Sequence, residues 1–211
     1  MTKIAIIIGS TRPARVGESV ARWVYSIAKQ RTDAEFEIVD LVDYNLPLYD
    51  EDLSPSQGQY KHEHTKAWAA KIASFDGFVF VAPEYNHGIN AALKNAIDYL
   101  YTEWNNKAAG FVSYGGVGGA RAVEQLRQVI SNVMIADVRA QVMLSLFTDF
   151  ENSTKFKPSQ MHEQEVNAML DQVISWANAL KPLRANDGWA ISGDEANSYA
   201  AGETRSENVR A

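Results

Sequence analysis

Cysteine is absent from the 211 residues, which excludes a disulfide framework, a zinc ribbon, a thiol nucleophile and cysteine-ligated iron–sulfur clusters. Long hydrophobic runs are missing as well. The first apolar stretch, Ile4 to Ile8, is shorter than the apolar core of a signal peptide and far short of a membrane span, so the expectation is a cytoplasmic protein that engages no membrane. Positive charge is scarce: 20 Lys and Arg stand against 26 Asp and Glu, a formal net charge of -6. The overall field therefore opposes nucleic acid and anionic lipid, and an anionic ligand must be held by local geometry.

What is present is ordinary for a soluble globular chain, with 46% hydrophobic and 22% charged residues. The β-branched run Ile4 to Ile8 ends in Gly9-Ser10-Thr11-Arg12-Pro13, which suits a central strand buried on both faces. Val20, Trp23, Val24 and Ile27 recur at helical spacing and predict a helix over 17–31. A second strand follows over 36–41, then a surface excursion over 43–60 with Pro47, Pro55 and Gly58, then a weaker helix over 61–74.

The same unit repeats. A strand over 78–81 leads through Pro83-Glu84-Tyr85-Asn86-His87-Gly88 into a helix marked by Ile89, Ala92, Leu93, Ala96, Ile97 and Leu100. A strand over 108–113 leads through Tyr114-Gly115-Gly116-Val117-Gly118-Gly119 into a helix marked by Val123, Leu126, Val129, Ile130 and Val133. A last strand over 138–146 and a helix over 164–180 complete an α/β alternation, which demands a five-stranded parallel sheet with helices on both faces. From Arg184 the periodicity is lost, giving a domain over 1–183 and a polar tail over 184–211.

In such sheets ligands bind beyond the carboxyl ends of the strands, where the strand order reverses. Three loops marked by glycine or proline fall there, at 9–18, 83–88 and 113–119. The first combines Ser10, Thr11, Arg12, Arg15 and the start of a helix, the donors a phosphate monoester requires; the bland alternative is a turn capped by Ser10 with both arginines solvated. It lacks the Gly-Lys-Ser/Thr of a P-loop and the G-x-G-x-x-G of a dinucleotide fingerprint. The second and third loops offer Tyr85, Glu84, Asn86, His87 and adjacent glycines, which suit a flat heterocycle or merely terminate two strands.

Other residues point elsewhere. His62 and His64 lack a third ligand at a recognisable spacing and read as a solvated helix start, so no metal is expected. Trp23 and Trp68 read as core or interface anchors, while Trp104 and Trp189 are within reach of a site by sequence alone.

Gly-Ser-x-Arg after the first strand, Pro-Glu-Tyr-Asn-His-Gly with Leu93-Lys94-Asn95-Ala96-Ile97-Asp98-Tyr99 after the third, and the glycine loop after the fourth resemble the NAD(P)H-dependent FMN reductases. That group includes quinone, azo-dye and chromate reductases. The resemblance spans about residues 3–180 and implies a flavodoxin-like three-layer sandwich with strand order 2-1-3-4-5. It implies a noncovalent FMN whose phosphate lies against Ser10, Arg12 and Arg15, Val16, Gly17, Glu18 and Ser19. The flavin ring would lie against Pro83, Glu84, Tyr85, Asn86 and His87 and against Ser113, Tyr114, Gly115 and Gly116. Arg15-Val16-Gly17-Glu18 stands where relatives often carry Gly-Ser-Phe-Asn or a similar run, so only a backbone contact carries over at Glu18 and Ser19.

The implied activity takes electrons from NAD(P)H through FMN to a small acceptor such as a quinone, free flavin, azo dye or metal oxyanion. The flavin carries the chemistry and no catalytic side chain is expected. The rival reading is a noncatalytic FMN-binding electron carrier or redox-sensing interaction protein. The wide apolar face of the helix after the second loop, with Tyr101 beyond it, predicts a homodimer or dimer of dimers.

Overall fold

The computed structural model describes residues 1–185; the expected tail beyond them, with Trp189, lies outside the described residues. The alternation read from the sequence is realised as β1 (Thr2–Ile8), α1 (Gly17–Ala28), β2 (Ala34–Asp40), α2 (Glu63–Ala73), β3 (Gly77–Tyr85), β4 (Gly88–Ile89), α3 (Ala91–Asp98), β5 (Lys107–Gly115), α4 (Ala120–Asn132), β6 (Ile135–Ser145), β7 (Phe150–Glu151), β8 (Lys155–Phe156) and α5 (Met161–Ala185). The sheet runs β2-β1-β3-β5-β6 with every one of those pairings parallel. Counting only the long strands, this is the expected order 2-1-3-4-5. Two short hairpins are additions: β4 folds back antiparallel on the end of β3, and β7 pairs with β8.

Successive side chains of a strand point to opposite faces, and the central strand shows the consequence. Ala5 and Ile7 join one core with Trp68, Ile72, Phe78, Phe80, Leu93 and Phe111, under α2, α3 and α4. Ile4, Ile6 and Ile8 join the other with Val20, Val24, Met169, Leu170 and Val173, under α1 and α5. Burying each large aliphatic side chain contributes about 1.5–3 kcal/mol, so truncating a single aromatic such as Trp68 would cost about 3–5 kcal/mol. Trp68 is also tied through its indole N–H to the Ala96 carbonyl at 2.8 Å.

Four expectations are corrected here. Trp104 is fully buried, donates to the Ile97 carbonyl at 3.1 Å and meets Phe78 edge-on at 4.9 Å between centroids; it belongs to the core and reaches no site. Most of the apolar face read on α3 packs inside the chain, since Leu93, Ala96, Ile97 and, just past the helix, Leu100 are each 1% exposed or less, and these four give no argument for a subunit contact; Ile89, Ala92 and Tyr101 are half-buried. The stretch 83–85 is strand, not loop, because β3 continues in register beside β5 as far as Pro83 opposite Tyr114, and Glu84 and Tyr85 then pair with β4. Finally, α5 passes through Pro182 to Ala185, and Arg184 is held by Asp76 and by the Asn106 carbonyl; loss of periodicity there is not the end of the helix.

His62 and His64 stack face to face at 5.1 Å, with His64 Nε2 3.0 Å from Asp50. Among the described residues there is no group of three or more metal-ligating side chains. Nor is any described helix long and apolar enough to cross a membrane.

Candidate functional site

Beyond the carboxyl ends of β1, β3 and β5 lies an open cleft of about 260 Å³, at the point between β1 and β3 where the strand order reverses. Arg12, Ala14, Arg15 and Val16 form one side. Pro83, Glu84 and Tyr85 come from β3, Tyr114 and Gly115 from β5, Leu146 from the end of β6, and Ser153 and Thr154 from the turn between β7 and β8. The three loops read from the sequence therefore converge, and a fourth segment joins them.

Along the first loop the donors divide. The Arg15 guanidinium is paired with Asp40 at the end of β2 and donates to the Ser10 carbonyl at 3.0 Å, so it is neither solvated nor turned toward Glu18. Glu18 instead pairs with Arg22 one turn along α1, which points its charge away from the cleft. The Arg12 side chain is exposed and has no hydrogen-bond or ion-pair partner among the described residues. Val16 caps α1 without a side-chain acceptor, and the first N–H groups of a helix have no partner within it.

Ser10 sits fully buried behind this loop, accepting from the Tyr114 hydroxyl at 3.2 Å. Burial pushes the Tyr114 phenol up to about 12, so it stays a neutral donor. Gly17 is needed here: a Cβ would fall 2.6 Å from Ser10 Oγ and 2.7 Å from the Tyr114 oxygen. Its absence lets the start of α1 come down onto the end of the sheet.

The second and third loops are bound to one another. Glu84 accepts from the backbone N–H of Arg121 at 3.1 Å and from its Nε at 2.6 Å, supplying from β3 the N-terminal cap that Gly119 cannot give α4. The same guanidinium reaches the His87 ring at 2.8 Å, and Gln125 donates to the His87 carbonyl at 2.9 Å. Asn86 and His87, both at positive φ, form the two-residue turn of the β3–β4 hairpin. His87 is held against α4, Asn86 is exposed, and neither lines the cleft. Ser113 is also turned inward, donating to the Gly118 carbonyl at 2.6 Å, while Gly116 lies exposed on the rim.

A larger recess of about 310 Å³ lies on the excursion, lined by Glu51, Asp52, Leu53, Gln59, Tyr60 and Lys61. None of these residues belongs to a strand of the sheet, and the recess's one buried charge is already satisfied, since Glu51 accepts from the Lys61 and His62 N–H groups at the start of α2. The cleft is the better candidate.

Residues 2–149 match the model of the NADPH-dependent FMN reductase family. The chain belongs to that family. It is 47% identical over 140 residues to an NAD(P)H-dependent FMN reductase of Nectria, a match covering 64% of this chain and 70% of the relative. To an NAD(P)H-dependent FMN reductase of Schizosaccharomyces pombe it is 50% identical over 129 residues, covering 60% of this chain and 64%, just under two thirds, of the relative. Among solved structures, the flavoenzyme NAD(P)H:(acceptor) oxidoreductase FerB of Paracoccus denitrificans superposes with a TM-score of 0.67 at 20% identity over 85% of this chain and 98% of that one, a likeness that shows the fold.

Five residues that line the cleft or brace its lining went unread in the sequence: Leu146, Ser153 and Thr154 along it, Asp40 behind Arg15 and Arg121 behind Glu84. Ser153 and Thr154 had a signal. Phe150 and Phe156 flank a turn made by Asn152 and Ser153, the pattern of a hairpin.

Proposed function

We propose that this FMN reductase family member holds FMN in the cleft and passes electrons from NAD(P)H to a quinone or similar small acceptor, with free flavins, azo dyes and metal oxyanions as further candidates. One observation carries the reading. On a chain of net charge -6, a guanidinium without a partner among the described residues and a helix start without a side-chain cap meet at the strand-order reversal of the sheet. That donor set suits a phosphate monoester, whose oxygens accept from helix N–H groups and from arginine.

Arg12 and the backbone N–H groups from Val16 to Ser19 would hold the phosphate, with buried Ser10 fixing the loop from behind. Pro83, Tyr85, Tyr114 and Gly115 would present a flat wall to the ring, and Gly116 a backbone donor at the rim, where negative charge on the ring is stabilised. FMN, when bound, supplies acceptance of hydride and delivery of two electrons. The chain's own share is to bind, orient and leave one side open: Tyr85 is 39% exposed and leaves the rim accessible to flat molecules.

A cytoplasmic setting and a homodimer or dimer of dimers belong to the same proposal. Exposed Leu48 and Phe147, at 82% and 79%, support a subunit contact, and a fully active monomer at micromolar concentration in sedimentation would overturn it. The activity is tested by loading purified protein with FMN, recording its visible absorbance, and following NAD(P)H oxidation with a quinone. Flavin bands with turnover are expected. A flavin-loaded protein without turnover would favour an electron carrier, and failure to retain FMN would overturn the reading.

A further inference from the structure

The β7–β8 hairpin stands between β6 and α5 and is held more firmly than a two-stranded ribbon of this size can hold itself. Phe150 and Phe156 are cross-strand partners with ring centroids 5.2 Å apart. Phe156 meets Trp23 of α1 edge-on at 5.5 Å, and Phe150 lies 6.3 Å from the ring of Tyr114. Below them Asp149, 2% exposed, accepts from the N–H groups of Ser145 and Ser159 at 3.0 and 3.2 Å and from the Thr148 hydroxyl at 2.9 Å. His162 Nε2 lies 3.0 Å from the same carboxylate. The hairpin is thus stapled to α1 and to Tyr114, the two pieces that also fix the first loop.

Its turn is nonetheless exposed and polar. Ser153 and Thr154 face the cleft across from Arg12, Ala14, Arg15 and Val16. Lys155 and Lys157 are both paired with Glu151, at 3.0 and 2.8 Å, so the hairpin brings no free cation to the cleft. What it brings is two hydroxyl groups on a rigid base.

We infer that this hairpin is a fourth wall of the cofactor cleft and that Ser153 and Thr154 donate hydrogen bonds to the phosphate monoester. The inference rests on the FMN reading. It differs from the Arg12 contribution in kind: hydroxyl donors act only at contact distance, whereas a guanidinium also acts through a field that salt screens.

The test is a titration of FMN and of riboflavin, which lacks the phosphate, into the apoprotein by fluorescence quenching at low and high salt. Ser153→Gly suits the positive φ of 57° at that position while removing the hydroxyl; Thr154→Val removes the other with little change of shape. Each is expected to weaken FMN by roughly tenfold at either salt concentration, with riboflavin affinity and melting temperature unchanged. Unaltered FMN affinity in the double variant, against a wild type that prefers FMN to riboflavin, would overturn the wall while leaving the FMN reading standing. Equal losses for both flavins would overturn the phosphate role. A wild type with no preference for FMN would overturn the underlying reading together with this one.

Discussion

The two ends of the parallel sheet handle charge in opposite ways. At the amino end Asp76 accepts from the Lys3 N–H at 2.9 Å, pairs with Arg184 and lies 3.6 Å from Lys181. Lys107, only 3% exposed, donates to the Ile72 carbonyl at 2.8 Å at the close of α2. Polar groups there find their partners within the chain. At the carboxyl end Arg12 has no partner among the described residues and α1 starts without a side-chain cap. A polar group left unmatched is costly when buried and cheap when water reaches it, so open donors can persist only on the wetted side of the cleft. The contrast marks which end binds.

The largest expected effect tests the amino end. Burial pushes Lys107 down to about 7 from its ordinary 10.5. Below pH 7 the amine is charged in both folded and unfolded chains and the full desolvation cost opposes folding. Above it the folded chain sheds the proton while the unfolded chain keeps it, so stability rises toward pH 10, by an amount on the order of 4 kcal/mol. Buried tyrosines work against this only later: Tyr44 and Tyr114 are raised to about 12 by burial, so they lower stability above pH 10. Denaturation midpoints measured from pH 7 to 10 should climb for the wild type and stay level for Lys107→Met. Parallel curves would show instead that Lys107 keeps its proton in the folded chain, its charge accommodated by the Ile72 carbonyl, and the contrast between the two ends would be sharper still.

The next effect belongs to the carboxyl end and leaves stability alone. Hydrogen bonds to a charged group contribute about 1.5–3 kcal/mol, so Arg12→Ala should weaken FMN roughly ten- to a hundredfold. Riboflavin binding and the melting temperature should not move, because the Arg12 side chain is exposed and has no hydrogen-bond or ion-pair partner among the described residues. The deficit should shrink at high salt. Equal losses for the two flavins would show that the first loop is not the phosphate site.

How much of this was legible in the sequence follows from the length of each signal. Ile4 to Ile8 and Phe78 to Val81 are unbroken apolar runs, so the buried strands could be read and a parallel sheet deduced from their alternation with helices, while the strand order came from the family resemblance alone. The three loops were marked by glycine and proline, and they do converge. Pro83 misled, because a proline followed by Glu84 and Tyr85 looks like a loop, yet β3 carries on through it. The β7 and β8 strands have two residues each, too few for any periodicity. Trp104 lies outside the helical repeat, so no face could be assigned to it, and its burial is decided by the rings of Trp68, Phe78 and Phe80 and by its bond to the Ile97 carbonyl. The pair Glu84–Arg121 and the pair Arg15–Asp40 join residues brought together only by the fold, and no local pattern announces them.

Arg15 gives the smallest and most discriminating effect, because it stands on the binding end yet behaves like the other. Its guanidinium is only 12% exposed and its partner Asp40 18%. Together they are neutral, so the pair neither attracts nor repels a phosphate. Arg15→Ala removes the cation and leaves the carboxylate at the edge of the cleft, where its repulsion of a dianion is about 1 kcal/mol at partly screened distances. FMN affinity should fall roughly fivefold, less than for Arg12→Ala, with riboflavin little changed. Asp40 also accepts from the Val42 N–H at 3.1 Å, a bond an asparagine oxygen can keep. The double variant Arg15→Ala with Asp40→Asn should therefore regain nearly all the FMN affinity. Should it bind as weakly as the single variant, Arg15 holds the phosphate directly. If instead both flavins lose equally, the arginine acts by shaping the loop through the Ser10 carbonyl, and the first loop would then have one free donor and one structural one.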